Sequence, residues 1–282
     1  MHIIRDVADL RRAVAALRGD GQTIGLVPTM GALHSGHIAL IEAAKARGTK
    51  AVVSIFVNPT QFGPNEDLDA YPRREAADIA MLEAANAAIL WLPDVATMYP
   101  TGFATSITVE GVSARWDGAA RPGHFAGVAT VVTKLLQQVR PDIAFFGEKD
   151  FQQLAVIRRV VADLDMAIEI AGVPTQREDD GLALSSRNTY LTAEERLTAR
   201  TLPRALGEAA AAIVDGGDVE ASLAAARTRL AEAGFTPIDY VALVDAATLE
   251  PVAKLVAPAR LIAAAKLGRT RLIDNLAVLP KR

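Results

Sequence analysis

Two histidines, His34 and His37, stand three residues apart in the run PTMGALHSGH, residues 28–37. A β-branched apolar stretch precedes them and a helix-period stretch follows, so they sit where a strand hands over to a helix. The N-terminus of such a helix offers unpaired N–H groups and partial positive charge, which attract phosphate. Positions three apart share a helical face, so both imidazoles address one region. An imidazole donates a hydrogen bond to a phosphoryl oxygen, and an imidazolium does so more strongly. Gly31 and Gly36 lack side chains, which lets backbone and a flat base approach closely. Two other readings compete. A zinc site needs three or four protein ligands, and only His2 and His124 remain, with no cysteine and no HExxH. Partly buried residues at a helix start are the plainer alternative. Neither a G-x-x-x-x-G-K-S/T loop nor a G-x-G-x-x-G fingerprint occurs, which disfavours P-loop and dinucleotide mechanisms.

Further constellations could serve the same chemistry. FFGEKDFQQL (145–154) puts Lys149 at a second strand-to-helix turn, where an ammonium pairs with phosphate as a point charge. Gln153 follows on the same helical face, whereas Arg158 and Arg159 lie farther along and read as solvated. GLALSSRNTYL (181–191) gathers Ser185, Ser186 and Arg187. Hydroxyls and a guanidinium suit phosphate oxygens, although Ser-Ser-Arg is common in loops. NPTQF (58–62) offers Asn58 and Gln61 to a cleft or, equally, to solvent. Arg121 and His124 fall in a glycine-flanked loop before a helix, as candidates for lid or phosphate contacts.

The elements around these residues are legible from periodicity. Strands are expected at 23–29, 51–57, 88–93, 105–111, 142–147 and 167–174, and helices at 36–47, 74–87, 125–139 and 151–164. Their alternation means βαβ units: an α/β, Rossmann-like parallel sheet covered on both faces. The style changes near residue 175. A polar loop (177–191) leads to Thr192 and Glu195, a capping box that opens a long helix. A second helix (219–233) and the strand-like runs IDYVALVD, ARLIAAAKL and RLIDNLAVL follow. We therefore expect a Rossmann-like domain over 1–175 and a smaller α+β domain over 176–282. The chain has 282 residues and is 51% apolar, enough for a sizeable core. A net charge of −3 argues against a general nucleic-acid or anionic-membrane binder. The lack of cysteine excludes disulfides and thiolate chemistry and is compatible with a cytoplasmic location. The charged N-terminal run has no signal-peptide core, and no window supplies an uncharged membrane span.

An HxGH run after a first strand resembles the nucleotidylyltransferase and class I aminoacyl-tRNA synthetase superfamily, whose members form or transfer adenylates. Together with FVNPTQF, RPGHFAGVATVV, FFGEKDFQQL and SSRN, it resembles the pantoate–β-alanine ligase family over most of residues 1–195. The resemblance implies ATP-dependent condensation of pantoate with β-alanine through a pantoyl adenylate, releasing AMP and pyrophosphate. It implies that His34 and His37 stabilise the adenylate and that Lys149, Ser185, Ser186 and Arg187 bind phosphate. It further implies that Gln61 and Gln153 hold pantoate, with Met30, in the loop Pro28, Thr29, Met30 and Gly31 shared by both substrates. Gly36, Gly147, Asp150 and Leu184 complete the implied nucleotide contacts; Leu184 stands where methionine is common, an exchange of similar volume. Asp78 is the implied Mg²⁺ ligand, in a run (RREAAD) that departs from the family pattern. A homodimer through the N-terminal domain is also implied. The rivals are another adenylyl-transfer enzyme of the superfamily and a non-catalytic nucleotide-binding module. Retention of Lys149, both histidines and Ser-Ser-Arg argues against the second.

Overall fold

A computed structural model describes residues 1–64 and 66–281. Asn65, inside the loop 58–72, and Arg282, at the end of the expected second domain, lie outside the described residues. Six strands form one parallel sheet: β1 (His2–Ile4), β2 (Thr23–Thr29), β3 (Thr49–Ile55), β4 (Ile89–Trp91), β5 (Ile143–Gly147) and β6 (Glu169–Val173). Their order is β1-β4-β3-β2-β5-β6, so the winding reverses between β2 and β5. Ligands of open α/β sheets bind outside the carboxyl ends of strands at such a reversal.

Helices α1 (Val7–Gly19), α2 (Ser35–Ala46), α3 (Glu75–Ala84), α4 (Val95–Met98), α5 (Asp117–Ala120), α6 (His124–Val139) and α7 (Phe151–Asp163) surround the sheet. The strands are apolar on both faces, with a period of two. Ile24, Leu26, Val52, Ile89, Trp91, Ala144 and Phe146 pack beneath α1, α6 and α7. Val27, Ala51, Val53, Leu90, Ile143 and Phe145 pack beneath α2 and α3. The second unit holds α8 (Ala193–Ala199), α9 (Thr201–Val214) and α10 (Val219–Glu232), then an antiparallel sheet β7 (Ile238–Asp245), β8 (Ala259–Leu267), β9 (Thr270–Val278). Val241, Leu243, Leu261 and Ala263 face α9 and α10. The alternate residues Ala242, Val244 and Ile262 pack with Phe151, Leu249 and Trp116, joining the small sheet to the large unit.

Three expectations change. Residues 105–111 form no strand; the run lies over α6, where the Ile107 N–H donates to Thr130 Oγ1 at 2.9 Å. Its β-branched residues favour an extended backbone, but a strand also needs a ladder partner, and β1 and β6 occupy the sheet edges. The helix opened by Thr192 and Glu195 has its capping box but breaks at Arg200. Pro203 has no N–H to donate, so it is accommodated in the first turn of a new helix, α9. β1 and α1, in the opening run read only for targeting signals, were not anticipated. Among the described residues no helix is long and apolar enough to cross a membrane.

Candidate active site

The loops leaving β2 and β5 border an inner chamber of about 220 Å³. Every candidate residue named above lines it except Gly31, Asn58, Asp78, Arg121 and His124. An adjoining outer chamber of about 530 Å³ runs between the two units. Lys149, Asp150, Gln153, Ser185 and Arg187 line both.

His34 is the N-cap of α2 rather than a residue within it. Its Nδ1 accepts from the Gly36 N–H at 3.1 Å, and the His34 N–H donates to His37 Nδ1 at 3.3 Å. With both Nδ1 atoms accepting, the neutral rings carry their protons on Nε2. Burial, then the Lys149 ammonium, pushes His34 below its ordinary value. Burial, then His34 and Lys149, pushes His37 down to about 3. Both imidazoles are therefore neutral donors near pH 7, and the stronger imidazolium bond considered from sequence is not what this site offers. Gly36 has a further reason to be glycine: a Cβ there would meet the His34 ring at 2.9 Å.

Gly31 does not line the chamber. It turns the chain at φ +82°, a conformation that disfavours side chains. Beneath that turn lies Asp78, 3% exposed, whose Oδ2 accepts from the Ala32 N–H at 2.9 Å and whose Oδ1 accepts from the Leu33 N–H at 2.8 Å. Asp78 thus clamps the loop from below, with neither oxygen facing the chambers, and does not fit the expected Mg²⁺ ligand. Among the described residues, no three His, Asp or Glu side chains cluster to hold a metal.

Gln61 sits in a short 3-10 turn, Pro59–Gln61, packed against α6. Asn58 does not enter the cleft. It is 1% exposed, and its Nδ2 donates to Gln61 Oε1 at 3.1 Å and to the Gly127 carbonyl at 3.2 Å. The Gln61 Nε2 points to Met30 Sδ at 3.3 Å. Arg121 and His124 work from behind. Arg121 Nη1 donates to His124 Nε2 at 2.9 Å, which leaves Nδ1–H to donate to the Gln61 carbonyl at 2.9 Å. Burial, then Arg121, pushes His124 down to about 4, so it is neutral. His124 opens α6 and is buried, and Arg121 pairs with Glu66 at 2.6 Å. Both nonetheless line the outer chamber, where their side chains are engaged with Glu66 and the Gln61 backbone.

Arg187 reaches back across the cleft, with Nε 3.0 Å and Nη2 2.9 Å from the Asp67 carboxylate. It lies over the Tyr71 ring, whose hydroxyl is 3.3 Å from Ser186 Oγ. Burial works against the Asp67 carboxylate, yet the bonds from Arg187 hold it below the usual carboxylate range. Tyr71 and Asp67 were not singled out from sequence. They lie in the polar loop 58–72, where only contact with a segment 120 residues away gives them meaning.

Over its whole length the chain is similar to proteins of one family. The family model described as pantoate-beta-alanine ligase matches residues 2–277. The chain is 78% identical over 280 residues to the pantothenate synthetase of Rhizorhabdus wittichii, covering 99% of each. The crystal structure of pantothenate synthetase from Thermus thermophilus superposes with a TM-score of 0.94 at 49% identity, over 99% of this chain and all of that one. Pantoate-beta-alanine ligase from Francisella tularensis, solved with beta-gamma ATP and β-alanine, gives a TM-score of 0.80 at 34% identity, over 98% of this chain and 97% of that one.

Proposed function

This chain belongs to the pantoate–β-alanine ligase family, and from that premise we propose how its residues divide the work of the reaction. The enzyme condenses pantoate with β-alanine at the expense of ATP. A pantoate carboxylate oxygen attacks the α-phosphorus and the bond to the β-phosphate breaks, releasing pyrophosphate. The β-alanine amine then attacks the acyl carbon of the pantoyl adenylate, releases AMP and gives up a proton. Both steps depend on positioning and charge stabilisation, with no covalent enzyme intermediate.

The observation that carries the assignment is the convergence of four distant segments on one 220 Å³ chamber. In our reading the Nε2–H groups of His34 and His37 donate to the α-phosphate, and Lys149 opposes the charge that builds there. Ser185, Ser186 and Arg187 take the remaining phosphate oxygens, Arg187 exchanging Asp67 for phosphate. Pro28, Thr29, Gly36, Gly147, Asp150 and Leu184 shape the nucleotide pocket. Gln61 and Gln153, with Met30, orient pantoate; neutral amides hold the anion without quenching its nucleophilicity, since uniform binding does not raise kcat. Mg²⁺ enters this reading with the nucleotide, whose phosphates supply its oxygen ligands. Residues 1–175 form the substrate-binding domain and 176–282 the covering one, whose 185–191 segment excludes water from the hydrolysable adenylate. The enzyme works in the cytoplasm, in keeping with a cysteine-free chain.

A homodimer through the first domain is supported by the exposed stretch 103–110. It belongs to no strand among the described residues, and its β-branched, largely exposed run suits contact with a second chain. Sedimentation at twice the chain mass is the expected result, and a monomer at micromolar concentration rejects it. The functional reading is tested by exchange of labelled pyrophosphate into ATP. Exchange should require pantoate and persist without β-alanine; exchange indifferent to pantoate contradicts the order of steps.

A further inference from the structure

We infer that Asn275 is a positioning residue for Lys149, so that the small antiparallel sheet sets the geometry of the phosphate-facing turn. This rests on the reading of Lys149 as the charge-stabilising group. β5 ends at Gly147 and α7 starts at Phe151, so Lys149 stands in a single tight 3-10 turn, Glu148–Asp150. Its side chain enters both chambers. Its backbone is held from the other unit: Asn275 Nδ2 donates to the Glu148 carbonyl at 2.9 Å and to the Lys149 carbonyl at 2.8 Å. Those two carbonyls belong to the peptide planes on either side of the Lys149 Cα. A peptide unit is planar, so pinning both planes fixes the φ and ψ of Lys149 and leaves only its side-chain torsions free.

The amide that does this has one orientation. Asn275 is 3% exposed, and its Oδ1 accepts from Arg260 Nε at 2.6 Å. The same guanidinium donates through Nη2 to Glu148 Oε2 at 2.9 Å and lies 4.3 Å from the Phe151 ring centroid. A flipped amide would set donor against donor at Arg260 and acceptor against both carbonyls. On β9 the neighbouring Asp274 is gripped by Arg177 at 2.8 Å through each of two nitrogens, which holds the strand in place. A fully satisfied buried network of this kind specifies a geometry more than it adds stability. The turn carrying Lys149 is thereby shared by both units, and a movement of the small sheet would carry the ammonium with it.

Pantoate-dependent pyrophosphate exchange, measured for the wild type, Asn275→Ala, Lys149→Ala and the double variant, tests this. Asn275→Ala should lose about ten- to a hundredfold in rate at saturating substrate, the scale of a small misplacement, with the pantoate KM unchanged. In the Lys149→Ala background the same change should cost less than about twofold, because the group it positions is gone. A wild-type rate in Asn275→Ala, or equal losses in both backgrounds, overturns the inference while leaving the role of Lys149 intact. A near wild-type rate in Lys149→Ala removes that role itself. If Asn275→Ala does not fold, Asn275→Ser keeps one donor and carries the same comparison, with a smaller loss expected in the wild-type background only.

Discussion

At the scale of the residue, the site depends on which groups are charged. The two imidazoles at the start of α2 are neutral, so positive charge at the phosphate rests on Lys149 and Arg187, and Arg187 is already paired with Asp67. Lys149→Ala should therefore lower the adenylation rate by roughly 10²–10³, the usual loss on removing one charge-stabilising donor. Single-turnover formation of pantoyl adenylate is the measurement, and a near wild-type rate would remove Lys149 from the mechanism. Gln61 has a separate task. Its amide is oriented by Asn58 and its carbonyl is held by His124, so Gln61→Ala should weaken pantoate binding by about tenfold and leave ATP binding alone. Calorimetry showing the opposite selectivity would reassign it.

Among the elements, α6 and the Pro59–Gln61 turn approach each other closely. A Cβ on Gly127 would lie 2.3 Å from the Thr60 carbonyl oxygen and 2.7 Å from the Gln61 nitrogen, both backbone atoms that cannot yield alone. Gly127→Ala should cost about 1–3 kcal/mol in stability, as overpacking does, and raise the pantoate KM without changing that for ATP. Denaturant midpoints and steady-state kinetics read the two effects; a stable variant with unchanged pantoate KM would separate the turn from the pantoate site. The PTMGALH loop shows the same dependence on a neighbour. Its shape is set by Asp78 on α3, so a carboxylate expected at a metal serves instead as a backbone clamp.

For the whole molecule, buried imidazoles tie stability to pH. In the unfolded chain His37 and His124 take up protons near pH 6.5, whereas in the fold they do so at about 3 and about 4. Between these values the unfolded state binds more protons, so stability rises with pH; it is complete above about 6.5 and is lost as pH falls toward 4. Chemical denaturation midpoints should drop between pH 7 and pH 5, a window above most carboxylate titration, and His124→Gln should flatten the slope. A midpoint constant over that window contradicts the neutral, buried assignment. The two units also meet through polar contacts that frame the cleft: Arg187 with Asp67, Asn275 with the Lys149 turn, and Arg271 with Asp117.

The amino-acid sequence by itself determined the alternation of strands and helices, the parallel sheet followed by a smaller α+β portion, and the four segments that form the chamber. Those features are written in short-range periods, capping residues and side-chain chemistry; Lys149 and the histidine pair declare themselves by type, and the two glutamines only by the family resemblance. Tertiary structure alone decided what those side chains meet. Residues 105–111 have strand composition but no partner, Asp78 has a metal ligand's chemistry but faces backbone donors, and His124 holds the Gln61 carbonyl, a bond across 63 residues. Asn275 lies in a strand with no motif to mark it, and its bond to the Lys149 turn spans 126 residues. Local sequence encodes conformation and chemical type; partners so distant in the chain become neighbours only when the sheets pack.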